Sequence, residues 1–305
     1  MLLRRVLLTL SLIAVLATGA SAQVKFERKL REGTRTVETT SRSEQKLSLG
    51  GMDIDSGSDS KITTKVTTNK RDDVGNVRVQ EKIEGLQVTT RQMGIEYNFD
   101  SANPDQAGQS QLEILRPIQK ASLGRVTTTT FDKENKIASI EFDQDVLAGV
   151  PEQIREMVKG EYDVERIKQT KNEELKQLPT DAVKKGDSWD RTQRLNLGFG
   201  QLLTVVAKMT YEGEVEHAGR KVDKISVKVI STEFSIDNPS FPLQVKQSSL
   251  KPTESKGEVL FDRELGLAVS NSSLMTIVGE ITFVANNMEI PAKLELTMES
   301  KTTSK

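Results

Sequence analysis

The chain has 305 residues, 43 of them basic and 44 acidic, for a formal net charge of −1, and it contains no cysteine, one histidine and one tryptophan. The lack of thiols excludes disulfides, cysteine-ligated zinc, a cysteine nucleophile and a lipid-anchoring cysteine. Charges of both signs are interspersed along it, which excludes the basic face that nucleic acid or an anionic membrane surface selects, and the length supports a core for one domain or two lobes without staples.

Met1 to Ala22 has the three parts of a secretory signal peptide: Arg4 and Arg5, an apolar run from Val6 to Ala17, and Ala20-Ser21-Ala22 before Gln23. The run is shorter than the roughly 20 residues of a membrane span. Cleavage after Ala22 and a secreted or periplasmic mature chain, with no transmembrane segment, are the expectation.

Val24 to Leu49 is polar with β character, broken at Gly33. Gly50 to Asp59 reads as a Gly/Asp/Ser turn, and Lys61 to Asn69 and Val77 to Ile83 form a hairpin about Arg71–Asn76. Short strands follow around Gly94, then a loop from Ser101 to Gly108, and Pro117 argues against a long helix in Gln111–Lys120. Leu123–Phe131 and Ile137–Phe142 are strands. A helix is predicted to start at Val150 or Pro151, with Ile154, Met157 and Val158 on one apolar face, and a broken helical segment runs over 150–177. Beyond Trp189, strands are expected at Thr192–Phe199, Leu202–Glu216, Val222–Phe234, Glu254–Phe261, Leu265–Ile277, Ile281–Ala285 and Met288–Met298, with Pro291 at an edge or bulge.

The fold class is therefore mainly β: curved antiparallel sheets, as two similar half-barrel or sandwich-like lobes, with one central helical segment around 150–177. The organisation is 1–22 signal peptide, 23–177 N-terminal β lobe plus helical segment, and 178–305 C-terminal β lobe. Each half carries a Phe-Asp-basic-Glu turn, Phe131-Asp132-Lys133-Glu134 and Phe261-Asp262-Arg263-Glu264. They fit either a duplicated lobe or two ordinary turns of common turn residues.

The stretch Leu178-Pro179-Thr180-Asp181-Ala182-Val183-Lys184-Lys185-Gly186-Asp187-Ser188-Trp189 stands between the halves. Gly186 permits a positive φ, Asp187 and Ser188 are expected to bond turn amides, and Trp189 to bring its indole to the core. With its Val-x-x-Gly-Asp-Ser-Trp motif the chain resembles uncharacterised secreted bacterial β-rich proteins, domains of unknown function. At fold level the layout is similar to the half-barrels of periplasmic lipoprotein carriers of the LolA and LppX type. The resemblance spans the mature chain, that motif is its specific part, and it implies no catalytic or binding residue.

Chemical signatures are sparse. His217 lies in a predicted turn, and no Gly-x-Ser-x-Gly elbow accompanies it. One histidine offers too few nitrogen ligands for zinc. Asp53, Asp55 and Asp59 place carboxylates around a glycine as calcium loops do, but Ser58 and Thr64 stand where an EF-hand loop needs Gly and Glu, which leaves Ca²⁺ a poor match and no cofactor otherwise expected. Acidic pairs such as Asp143/Asp145 and Glu152/Glu156 are too common in this composition to mark an acid–base site. The expectation is a non-enzymatic binding protein that holds an apolar ligand, a lipid or a lipidated partner, on the concave face of a curved sheet. The alternative is a structural or interaction protein of the cell envelope, and a hydrolase is the third.

Overall fold

The computed structural model describes residues 23–305 apart from 144, 146, 149, 153–154, 157–158, 199 and 237–242. The leader expected over Met1–Ala22 and the apolar face of Ile154, Met157 and Val158 lie outside the described residues. Twelve antiparallel strands form one sheet: β1 (Gly33–Leu49), β2 (Met52–Thr68), β3 (Val77–Gln92), β4 (Ile95–Asp100), β5 (Val126–Phe131), β6 (Ile137–Phe142), β7 (Ser188–Gly198), β8 (Gln201–His217), β9 (Arg220–Ile236), β10 (Gln244–Asp262), β11 (Leu267–Ala285) and β12 (Met288–Ser304). Their order is β6-β5-β3-β2-β1-β12-β11-β10-β9-β8-β7, with β4 on β3.

Each half is a meander, and the first and last strands join them. β1 pairs with β12 from Val37↔Ser304 to Leu49↔Ala292, so the two expected lobes share one continuous ladder. The sheet's outer edges, β6 and β7, follow one another in sequence. The chain between them carries helix α2 (Val164–Leu175), whose N-cap Asp163 accepts the Arg166 amide. Toward β6, Lys168 Nζ donates to the Ala138 carbonyl at 3.2 Å. Toward β7, Trp189 Nε1 donates to the Gln177 carbonyl at 3.0 Å. The sheet itself stays open, and the helical segment bridges its seam.

Alternation places one set of side chains inside the curve. At one end Leu203, Phe234, Leu250, Ile277, Ile281 and Leu296 interdigitate into the main apolar core. Toward the other end are two smaller clusters, one around Phe26, Tyr211 and Phe261 and the other around Val66, Phe131 and Ile137.

Two expectations are corrected, at β2 and β10, and a third gains detail. The stretch read as a turn over Gly50–Asp59 turns only at Gly50-Gly51 (φ 57° and 86°) and continues as β2. Gln111–Leu115 forms a 3₁₀ turn capped by Ser110, and helix α1 follows over Arg116–Ser122. Pro117 sits in the first helical turn, where a missing amide costs nothing, and the helix it opens is short, in keeping with the expectation of no long helix there. The strand expected from Glu254 starts ten residues earlier, at Gln244, and passes Pro252 at an irregularity in its pairing with β11.

α1 is held to β4 by Arg116, which donates to Glu113 at 2.6 Å and to the carbonyls of Pro104 and Asn98, and stands over the rings of Tyr97 and Phe99. Tyr97 is buried, donates its hydroxyl to Gln119 Oε1, and burial pushes its pKa up to about 12. A phenol whose folded pKa lies above its unfolded value stabilises fully below the unfolded value near 10, and that stability is lost as pH rises through the folded one. Urea midpoints are therefore expected to fall between about pH 10 and about pH 12. Tyr97→Phe is expected to remove part of the fall, on the order of 2 kcal/mol.

Candidate binding site

The N-terminal segment 23–32 builds one wall of the site. Val24 and Phe26, two apart and both buried, mark an extended strand. Val24 exchanges two 2.8 Å backbone bonds with Val183. The Phe26 ring meets Phe261 at 5.4 Å, Tyr211 at 5.5 Å and Trp189 at 6.4 Å between centroids. Leu30 then packs against the Val66–Phe131 cluster. The segment thus crosses inside the curve from the C-terminal half to the N-terminal half.

Its fixed point is the β10–β11 turn. The Lys29 amide donates to the Gly266 carbonyl at 3.0 Å, and Lys29 Nζ to the Arg263 carbonyl at 2.8 Å. Gly266 has φ 69°, and a Cβ there would lie 2.5 Å from the Lys29 amide nitrogen. Gly266→Ala is expected to displace the segment from the turn and to cost about 1–3 kcal/mol. Limited proteolysis should show faster cleavage before Gly33 with the sheet left intact.

Behind this segment lies a hollow of about 280 Å³. Phe131 and Ile137 line it from one half, Ile225 and Phe261 from the other, and Leu175 and Leu178 of the bridging segment face it. The two similar Phe-Asp turns thus put their phenylalanines on opposite sides of one space. Three arginines share it: Arg28, Arg35 and Arg191. Burial lowers the pKa of all three, Arg191's to about 10, while Glu174 pulls Arg28 and Arg191 back up and Arg28 and Arg35 repel one another. Arg191 Nη2 donates to Gln193 Oε1 at 3.0 Å, and its buried Nε has no partner. The carboxylate Glu81 in the same wall is engaged by Lys171 at 2.6 Å.

A second hollow of about 630 Å³ shares Lys29, Arg35, Leu267 and Ser304 with the first. Arg31, His217, Arg220 and Lys305 add to its walls, which include no aspartate or glutamate side chain. Arg220 and Lys305 reach Asp262 and Glu38 outside it, at 3.2 and 3.1 Å. His217 is in the β8–β9 turn, as expected, and Ser304 is the serine of that cleft. A third, polar groove of about 640 Å³ beside β4 contains Asp59, Glu96, Asp100 and Glu113. Each of these carboxylates has a partner: Arg91, Asn98, Gln87 and Arg116 respectively.

Asp53, Asp55 and Asp59 do not converge. They lie along β2, so Asp53 and Asp59 stand roughly 20 Å apart by strand rise. Asp53 accepts from Ser48 and Asp59 from Arg91. Among the described residues no three His, Cys, Asp or Glu side chains are grouped to hold a metal ion. Asp143 accepts the Val126 amide, Glu152 pairs with Arg155 and Glu156 with Lys159. In the central motif Gly186 takes φ 93°, and Asp187 Oδ2 accepts the Lys184 amide at 2.9 Å. Ser188 instead pairs its hydroxyl with Thr210 across the strands, because β7 has already begun. Trp189 is half-buried against the Phe26 cluster.

Sequence reasoning passed over the arginines. The signal available was alternation: Arg28 follows Phe26 by two, Arg191 follows Trp189 by two, and Arg35 precedes Val37 by two, so each shares an inward face.

Residues 74–220, which include Leu178–Trp189, match a family model described as a family of unknown function, DUF6263. No curated protein matches. Among solved structures the chain is similar to lipovitellin, described for its lipid–protein interactions, with 10% identity and a TM-score of 0.40 over 91% of this chain and 25% of that one. It therefore spans a quarter of that structure's length. It is also similar to DynF of the dynemicin biosynthesis pathway of Micromonospora chersina (8% identity, TM-score 0.19, 92% and 85% covered). A third is OccK5 (OpdH) of Pseudomonas aeruginosa, at 8% identity and a TM-score of 0.23 over 92% and 100%. At TM-scores this low these likenesses carry no weight for function.

Proposed function

We propose that the chain is an exported, non-enzymatic binding protein that holds an apolar ligand inside its curved sheet. The observation that carries this is the unequal filling of the concave side. One end is plugged by the aliphatic core around Ile277 and Leu296, while the other keeps a hollow walled by Phe131, Ile137, Ile225 and Phe261 and bounded by the bridging segment. Apolar walls with a few convergent polar groups are what small-ligand sites share. Organic extracts of natively purified protein, examined by mass spectrometry, are expected to contain an apolar molecule at near-stoichiometric amount. A clean extract, with no uptake of an apolar fluorescent dye by the purified protein, would overturn the reading. Export is tested separately by cell fractionation and N-terminal sequencing, which should begin at Gln23.

A second reading, an interaction protein of the envelope, draws on the exposed Met52, Met93 and Met288 beside three hairpin turns at one end of the sheet. Cross-linking from those positions to an envelope component, with an empty hollow, would favour it.

A further inference from the structure

We propose that the ligand is an amphiphile with an anionic head, and that Arg28, Arg35 and Arg191 recognise that head in the hollow. The inference rests on the binding reading above and names the chemistry of its ligand. A purely apolar ligand needs no guanidinium in its wall, yet three project into this one. Among the described residues none of the three side chains is within ion-pair distance of a carboxylate, although Glu174 in the same wall attracts Arg28 and Arg191, and the guanidinium groups of Arg28 and Arg35 make no hydrogen bond. Arg116, Arg263 and Arg91, by contrast, are paired with Glu113, Asp223 and Asp59.

Taking a guanidinium from water without a counter-charge is costly, and a carboxylate or phosphate in the hollow repays that cost through charge-assisted, bidentate bonds. Arg35 and Arg191 are half-buried and burial lowers the pKa of each, whereas the Arg28 side chain is exposed and Glu174, in the same wall, offsets part of the charge of Arg28 and Arg191. The adjoining cleft points the same way. Its walls hold Lys29, Arg31, Arg35, His217, Arg220 and Lys305 with no aspartate or glutamate side chain, although Arg220 and Lys305 are paired with Asp262 and Glu38 outside it. It shares Arg35 with the hollow, so an anion drawn to the cleft meets Arg35 at the boundary of both. The hollow's phenylalanine and aliphatic walls then take the chain of the same molecule.

The test compares three probes of one chain length on the full-length mature protein by dye displacement: hexadecanol, palmitate and 1-palmitoyl lysophosphatidate. At least about tenfold tighter binding of one or both anionic probes is expected. The tighter of the two identifies the head as carboxylate or phosphate. Arg28→Gln, Arg35→Gln and Arg191→Gln together should erase the preference for an anionic head over hexadecanol, and the circular dichroism spectrum and urea midpoint report whether the variant folds. The wild-type comparison decides even if that variant does not fold. Equal binding of all three probes overturns the anionic head and leaves the apolar site standing. Binding of none overturns both.

Discussion

Phe26→Ala is expected to lower the unfolding free energy by about 3–5 kcal/mol, a large share of what a single domain has. Phe26 is 4% exposed and is the common neighbour of three other rings, two of them edge-on at 5.4 and 5.5 Å. Its removal opens a cavity between Tyr211 and Phe261, strands whose backbones are fixed by long ladders and cannot close on it. It also frees the 23–32 segment, whose other anchors are the Val24–Val183 bridge and the Lys29–Gly266 bond. Trp189 is the sole tryptophan and lies 6.4 Å from Phe26, so its emission reads this cluster directly. A red shift in native buffer together with a lower urea midpoint is the expected pair of results. An unchanged midpoint would show that the segment is not part of the cooperative core. Phe26→Leu, which refills most of the volume, should recover more than half of the loss.

Much of the fold was legible because period-two alternation is a strong signal wherever one face is apolar. Val205, Ala207, Met209 and Tyr211 mark β8, and Ile225, Val227 and Val229 mark β9. The signal fails where both faces are polar. β2 begins Met-Asp-Ile-Asp-Ser-Gly-Ser-Asp, which reads as a loop, and is a strand because β1 and β3 satisfy its backbone on both sides. Gly279 read as a break between two strands, yet β11 runs through it. There β10 comes so close that a Cβ would sit 2.0 Å from the Ser249 carbonyl oxygen. The β1–β12 junction could not be seen, since a pairing between residues more than two hundred and forty apart leaves no local trace. The candidate site was legible only in outline. A concave face was expected, but its arginines carried no motif, and the wall made by Arg28, Lys29 and Leu30 lies in a stretch that reads as polar with β character.

The second large effect is expected from Arg263→Ala, about 3–5 kcal/mol of destabilisation. Asp223 is fully buried behind the Phe26 cluster. Its Oδ1 accepts from the Tyr211 hydroxyl at 2.7 Å, and its Oδ2 faces Arg263 Nε at 2.5 Å. Arg263 itself is 40% exposed and also reaches Glu214 at 3.1 Å, so its charge has water available and the aspartate's does not. The two deletions are therefore unequal. Removing the arginine strands a carboxylate in a dry place with one hydroxyl donor, whereas Asp223→Asn leaves a neutral group that keeps its bond to Tyr211 and releases an arginine to solvent. The double substitution Arg263→Ala/Asp223→Asn should accordingly be more stable than Arg263→Ala alone, which only a buried, uncompensated charge produces. Urea midpoints of the wild type, both single variants and the double variant measure the coupling as a thermodynamic cycle. Additive losses would mean that Arg263 acts through its Glu214 contact or its stem and that Asp223 does not depend on it. The same charge pair sits beside the turn that fixes Lys29, so its loss should also loosen the 23–32 segment and accelerate its proteolysis, coupling the stability of β9–β10 to the wall of the hollow.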